Sequence, residues 1–350
     1  MDYETSDGTA RQGYDYMAAS GTLRFAAGEI EKQLTLILID DSYDEADETF
    51  TLTLSAPTGG AQLGSPSAID IVIKGGETAA APNPVDDARF FVRQNYADFL
   101  GRVPDASGLG FWTQNIEGCG LSLPCRDVKR IDTSAAFFLS IEFQNTGYLV
   151  ERMYKAAYGD AVGTTRITGS PAQIPVPVIR RAEFLADSAI IRSGLVVGQT
   201  GWEGVLENNK QAFALAFVQR QRFVDAYPLT MTPAAFVDQL NSNVGGALDA
   251  STRQSLIEEL SGNNTSSGRA SVFRKVAENA EVDRRETNRA FVLMQFFGYL
   301  QRDPDAAPDT DHTGWKFWLD KLDGFQGDFR KAEMVKAFIS SSEYRNRFGQ

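Results

Sequence analysis

Histidine and cysteine are nearly missing from this 350-residue chain, which has one histidine, His312, and two cysteines, Cys119 and Cys125. A zinc site built from histidines is thereby excluded, and Ser-His-Asp or Cys-His catalysis would have to use His312, which stands in an Asp-rich loop. The cysteines share the segment Gly118-Cys119-Gly120-Leu121-Ser122-Leu123-Pro124-Cys125, whose spacing is not that of a C-x-x-C metal or redox pair. They make either a small bridged loop, which belongs to an oxidising compartment, or two unpaired thiols in a cytosolic loop. No run of about 18 apolar residues occurs, so no helix is expected to insert in a membrane, and residues 1–30 lack the pattern of a signal peptide. Glycine-rich phosphate loops, a G-x-S-x-G elbow and H-E-x-x-H are also absent, and no carboxylate pair stands out as a glycosidase couple. An enzyme is therefore not expected.

Acid is what the chain has in excess. Asp and Glu number 46 against 34 Lys and Arg, a formal net charge of -12. Such a field repels phosphate backbones, which excludes nucleic acid as an expected partner and leaves divalent cations and basic surfaces open. With 43% hydrophobic and 23% charged residues, the chain has ordinary globular composition and room for two or three domains.

Two grammars follow each other along the chain. Residues 1–76 carry short alternating or β-branched runs separated by Gly, Asp and Pro, at Gly21–Phe25, Gln33–Ile39, Glu48–Leu54 and Ala68–Ile73, which predicts antiparallel strands. In the third run Phe50, Leu52 and Leu54 alternate with Thr49, Thr51 and Thr53, as on a sheet with one wet face. Residues 77–87 read as a linker. From Ala88 the apolar positions recur at three and four, as in Phe91, Val92, Tyr96, Phe99 and Leu100, which predicts amphipathic helices that bury Val92, Tyr96, Leu100, Trp112, Phe137 and Phe143.

The helical part repeats itself. Phe91-Val92, Tyr96, Leu100, Arg102, Pro104 and Asp105 return as Phe291-Val292, Phe296, Leu300, Arg302, Pro304 and Asp305, and Gly108, Phe111 and Trp112 as Gly314, Phe317 and Trp318. The expected units are 88–147, 148–226 with an inserted loop around Pro171 to Pro177, 232–287 and 288–350. Within the unit Asp105 reads as a helix cap, Arg102 as a partner of Asp105 or Glu142, and Trp112 and Trp318 as core residues or, alternatively, as platforms for carbohydrate. The loop with Asp303, Asp305, Asp309 and Asp311 resembles a cation-binding loop only loosely, since it lacks the Gly and Glu positions of an EF-hand.

Five motifs occur in order near the beginning: Tyr3-Glu4-Thr5-Ser6-Asp7-Gly8-Thr9-Ala10, Gly13-Tyr14-Asp15-Tyr16, Gly21-Thr22-Leu23-Arg24-Phe25, Gly28-Glu29, and Ile39-Asp40-Asp41-Ser42-Tyr43-Asp44-Glu45-Ala46-Asp47-Glu48-Thr49-Phe50. Together they resemble the Calx-β domain over about residues 2–74. The resemblance implies an immunoglobulin-like antiparallel β-sandwich, here incomplete, ahead of the all-α tandem repeats. It also implies calcium held by Asp15, Asp40, Asp41, Glu45 and Glu48 with the carbonyl of Tyr43. Oxygen-only ligands in number suit that ion, and so many neighbouring carboxylates repel one another without it. The sequence departs from the family in entering at its second strand and in ending the module on Lys74-Gly75-Gly76 in place of an acidic run. From the first departure we expect either an upstream start, with a signal peptide and the missing strand, or a strand donated by another chain.

Leu100-Gly101-Arg102-Val103-Pro104-Asp105-Ala106-Ser107-Gly108, with Phe111-Trp112 and Ser140-Ile141-Glu142-Phe143, resembles a bacterial extracellular domain of unknown function that occurs in tandem and is similar to phycobilisome linker domains. Both resemblances imply a non-enzymatic module of the cell surface or extracellular space, calcium-associated and engaged in adhesion or assembly with a protein or glycan partner. A carbohydrate-binding module and a hydrolase are the alternatives.

Overall fold

The computed structural model describes residues 1–76 and 82–349, and is a β region followed by a helical one. The chain forms two compact units: Met1–Ser140 with Phe297–Gln301 and Glu333–Gln350, and Ile141–Phe296 with Arg302–Ala332. No helix among the described residues is long and apolar enough to cross a membrane.

In the first unit β1 (Asp2–Asp7), β2 (Ser20–Thr22), β3 (Glu48–Ser55) and β4 (Ala68–Ile73) make one antiparallel sheet in the order β2-β1-β3-β4. Register sets Asp7 opposite Phe50 and Phe50 opposite Ile71, so the apolar side chains of β3 and β4 share a face. Tyr16 stacks on Phe50 at 4.0 Å between centroids, and Ala10, Leu36, Ile71 and Ile73 complete that core. Cover ends there, since Leu52 and Leu54 are half-buried and Ile69 is exposed.

The run Gln33–Ile39, expected as a strand, is not a regular one. It makes the isolated bridge Tyr16 to Leu38 and the bonds Met17 N to Ile37 O and Ile39 N to Asp15 O, 2.8 and 2.9 Å. Its partner is the short stretch 15–17, which leaves a tight turn at Gly13–Asp15 closed by the bridge Gln12 to Tyr16, so the ladder has nowhere to continue. The second layer of the expected sandwich is thus a brief pairing of two loops.

The linker expected at 77–87 lies partly outside the described residues, at 77–81; Asn83 is buried and its amide donates to the carbonyls of Arg345 and Gly349. Asp87 then caps α1 (Ala88–Asn95), which runs on as a π-turn to Leu100 and stops at Gly101 in the left-handed region, φ 58°. Asp105 caps α2 (Ala106–Glu117) through Gly108 N at 2.8 Å, as the sequence predicts. Cys119 and Cys125 are bridged in the turn to α3 (Leu123–Leu139). Of the predicted core positions, Val92, Tyr96, Leu100, Phe137 and Phe143 are buried, whereas Trp112 is half-buried.

The second unit contains α4 (Ile141–Asn145), α5 (Gly147–Tyr158), α6 (Arg181–Arg192), α7 (Trp202–Val218), α8 (Gln221–Ala226), α9 (Pro233–Asn243), α10 (Ala250–Gly262), α11 (Ser266–Ala277), most of α12 (Ala280–Gly298) and α13 (Thr313–Gly324). The segment expected as a loop around Pro171 to Pro177 is instead half of a hairpin, β5 (Asp160–Thr165) with β6 (Ala172–Pro177). Helix α5 is buried on nearly every side although it carries Glu151, Arg152 and Lys155. Phe213, Phe217, Phe223, Tyr227, Phe236 and Phe273 form an aromatic core beside it. Two short helices, α14 (Met334–Ile339) and α15 (Ser342–Arg345), close the chain within the first unit.

Candidate metal centre

Two loops of the first unit place the acidic residues. Asp15 follows a turn in which its own amide reaches Arg11 O at 3.0 Å and its carboxylate accepts Arg11 N at 2.6 Å. The next residue, Tyr16, is buried in the core and donates its hydroxyl to Asp7 at 2.6 Å. The bond from Ile39 N to Asp15 O then brings the second loop alongside. There Asp41 turns the chain by accepting Tyr43 N at 2.8 Å. The end of β4 braces this loop, for Lys74 pairs with Asp47 and Gly75 packs so closely that a Cβ on it would stand 2.0 Å from the carbonyl of Glu45.

The result is that Asp15, Asp41 and Glu45 each offer an oxygen within 4.8 Å of the others, buried, half-buried and exposed in that order. Among the described residues no other such group of three ligand side chains occurs. Oxygens held roughly 2.4 Å from one calcium ion lie up to about 5 Å apart, so these three fit a single hard cation. Glu48, at the start of β3, hydrogen-bonds Asp15, and its carboxyl is pushed up to about 7 by burial and then by the charges of Asp15, Glu45 and Asp41. Burial, with Asp41 and Glu45 next, raises the Tyr43 phenol. Beyond burial, part of each shift comes from neighbouring carboxylate charge, which a cation would relieve.

The remaining sequence-predicted residues divide. Glu48 adjoins the group. Asp40 is exposed, lines a narrow cavity with Arg93 and Arg102, and is not one of the three grouped residues. The Tyr43 side chain turns to the carbonyl of Asn346 at 3.0 Å. In the Asp-rich loop Asp303 and Asp305 meet Arg180 at 3.1 and 2.8 Å, Asp309 meets Arg302 at 2.8 Å, and Asp311 lies 3.3 Å from Arg166. These carboxylates already have guanidinium partners. His312 is buried, and burial lowers its pKa. Lys74, Gly75 and the tail residues Asn346 to Phe348 also hold the acidic loops; no local motif marks them, because they act across 27 to more than 300 positions of sequence.

Residues 1–76 match the Calx-beta domain family, so the sheet and its acidic end form a domain of that class. The chain is 31% identical over 121 residues to the protein named sodium/calcium exchanger Calx of Drosophila melanogaster, a match covering 33% of this chain and 13% of that one. It is 46% identical over 54 residues to human sodium/calcium exchanger 2, covering 15% of this chain and 6% of the exchanger, and 44% over 55 residues to sodium/calcium exchanger 1 of Canis lupus familiaris, covering 16% and 6%. The chain therefore spans only a small part of the length of these relatives. No solved structure matches it.

Proposed function

We propose that the chain is a non-catalytic, calcium-associated binding module of the cell surface or extracellular space, in which the Calx-beta domain takes up the ion and the helical region serves adhesion or assembly. The observation that carries the calcium reading is the convergence of Asp15, Asp41 and Glu45 within 4.8 Å, with Glu48 hydrogen-bonded beside them. Calcium takes six to eight oxygens; Glu48, the Tyr43 carbonyl and water would complete the set, and Asp40 would not. Relatives that share part of this sequence are named as sodium/calcium exchangers, which supports the same ion. The Cys119–Cys125 bridge supports an oxidising location.

The proposal of tandem helical units is supported by local geometry that recurs 200 residues on. Gly101 and Gln301 both adopt the left-handed region, φ 58° and 56°. Arg102 covers the ring of Tyr96 at 4.9 Å and Arg302 that of Phe296 at 5.4 Å. The pairs Phe111–Trp112 and Phe317–Trp318 are edge-on at 5.0 Å in both places. Partners are proposed to be proteins or glycans. The outer edge of β4 has no strand neighbour among the described residues, and a donated strand would pair there.

Calorimetric titration with calcium tests the central reading. Saturable binding is expected, weakened tenfold or more by Asp41→Asn or Asp15→Asn and undisturbed by Asp40→Asn. Absence of binding at millimolar calcium would refute it.

A further inference from the structure

The loops that carry the clustered carboxylates are also the loops that hold the end of the chain. Ser42, next to Asp41, is buried and gives both its amide and its hydroxyl to the carbonyl of Phe348, at 2.9 and 3.0 Å. Tyr43 gives its hydroxyl to Asn346 O at 3.0 Å. On the other loop Gly13, two residues before Asp15, accepts from Arg347 Nε at 2.8 Å. Arg347 is itself 1% exposed and anchored to Asp98 at 2.9 Å and to the carbonyls of Gly298 and Tyr299. One short tail, Asn346–Phe348, thus bonds to both loops that carry the clustered carboxylates. All these residues lie in the first unit.

We propose that the divalent-cation site and the C-terminal tail are thermodynamically linked, so that binding of the ion and seating of Asn346–Phe348 strengthen each other. This rests on the calcium reading above. An ion that draws Asp15 and Asp41 together fixes the spacing of Gly13 from Ser42 and Tyr43, and that spacing is what the tail fits. The reverse holds equally, because a seated tail restricts the loops before the ion arrives, and linkage is reciprocal. The tail is then the element through which the ionic state of the sheet domain is passed to the rest of the first unit.

The test uses the full chain and the double variant Ser42→Ala, Tyr43→Phe, which removes the side-chain bonds to the tail and leaves every carboxylate in place. Calcium binding is measured by calorimetry, and amide exchange of Ser42 and Arg345–Phe348 by mass spectrometry, with and without saturating calcium. Exchange at these amides is expected to slow roughly tenfold with calcium, and the variant to bind calcium about 5- to 50-fold more weakly. If the native chain binds calcium while tail exchange is unmoved and the variant binds within twofold of it, the linkage is wrong and the calcium reading stands. If the native chain binds no calcium, both fall. If the variant does not fold, exchange in the native chain decides alone.

Discussion

Glu151 shows how much a single proton can matter here. It is fully buried in α5, its Oε2 has no hydrogen-bond partner, and burial followed by the charge of Glu286 pushes its carboxyl up to about 8. Around it Asp160, Asp283 and Glu286 are paired with Arg152, Lys155 and Arg289, so three acids already balance three cations and Glu151 is accommodated neutral. Because the folded state binds that proton more tightly than the unfolded chain does, the stability it contributes is full below about pH 4.5 and lost as pH rises through about 8. Glu151→Gln should match the native protein at pH 5 and exceed it at pH 9 by on the order of 3 kcal/mol in urea unfolding. Parallel pH profiles for the two proteins would contradict this. Arg347 makes the opposite case, a buried charge that is paired. Arg347→Met leaves Asp98 buried without its cation and should lower stability by roughly 3 to 5 kcal/mol, much of it recovered when Asp98→Leu is added.

At the scale of elements, equivalent positions in the first and last helical motifs respond differently to the same change. A Cβ on Gly108 in α2 would lie 2.2 Å from the hydroxyl of Tyr96, whereas one on Gly314 in α13 would lie 3.5 Å from the ring of Phe296, an ordinary contact. Gly108→Ala should therefore destabilise by about 1 to 3 kcal/mol through overpacking, and Tyr96→Phe should rescue it. Gly314→Ala should be neutral or slightly stabilising, since alanine is favoured over glycine in a helix by up to about 1 kcal/mol. Thermal melts of the three variants check the pattern; equal losses at both glycines would show that the hydroxyl is not the cause. The helices were the legible elements. Their three-four periodicity and the cap at Asp105 follow from neighbouring residues, while the run Gln33–Ile39 has strand composition but finds only a three-residue partner.

For the whole molecule, a net charge of -12 means that any cation held by the acidic end of the sheet also relieves a general repulsion. Calcium at about 100 times its dissociation constant adds roughly 2.7 kcal/mol to the stability of what binds it. Two compact units are expected to give two resolvable transitions in calorimetry, with calcium raising the one that belongs to the first unit. A calcium shift confined to the second unit's transition would contradict the assignment of the site.

The order of β then α, the helix caps and the acidic stretch around Asp41 were determined by the sequence alone, because each depends on residues a few positions apart whose spacing is itself the signal. Which acids meet was decided only by the tertiary structure. Asp40 and Asp41 are neighbours in sequence, yet Asp41 groups with Asp15 and Glu45 while Asp40 lines a cavity with Arg93 and Arg102. The loops that carry the grouped acids are held by the stacking of Tyr16 on Phe50, by Gly75 against Glu45, and by a tail more than 300 residues away. None of those contacts is local, so no window of sequence contains the reason.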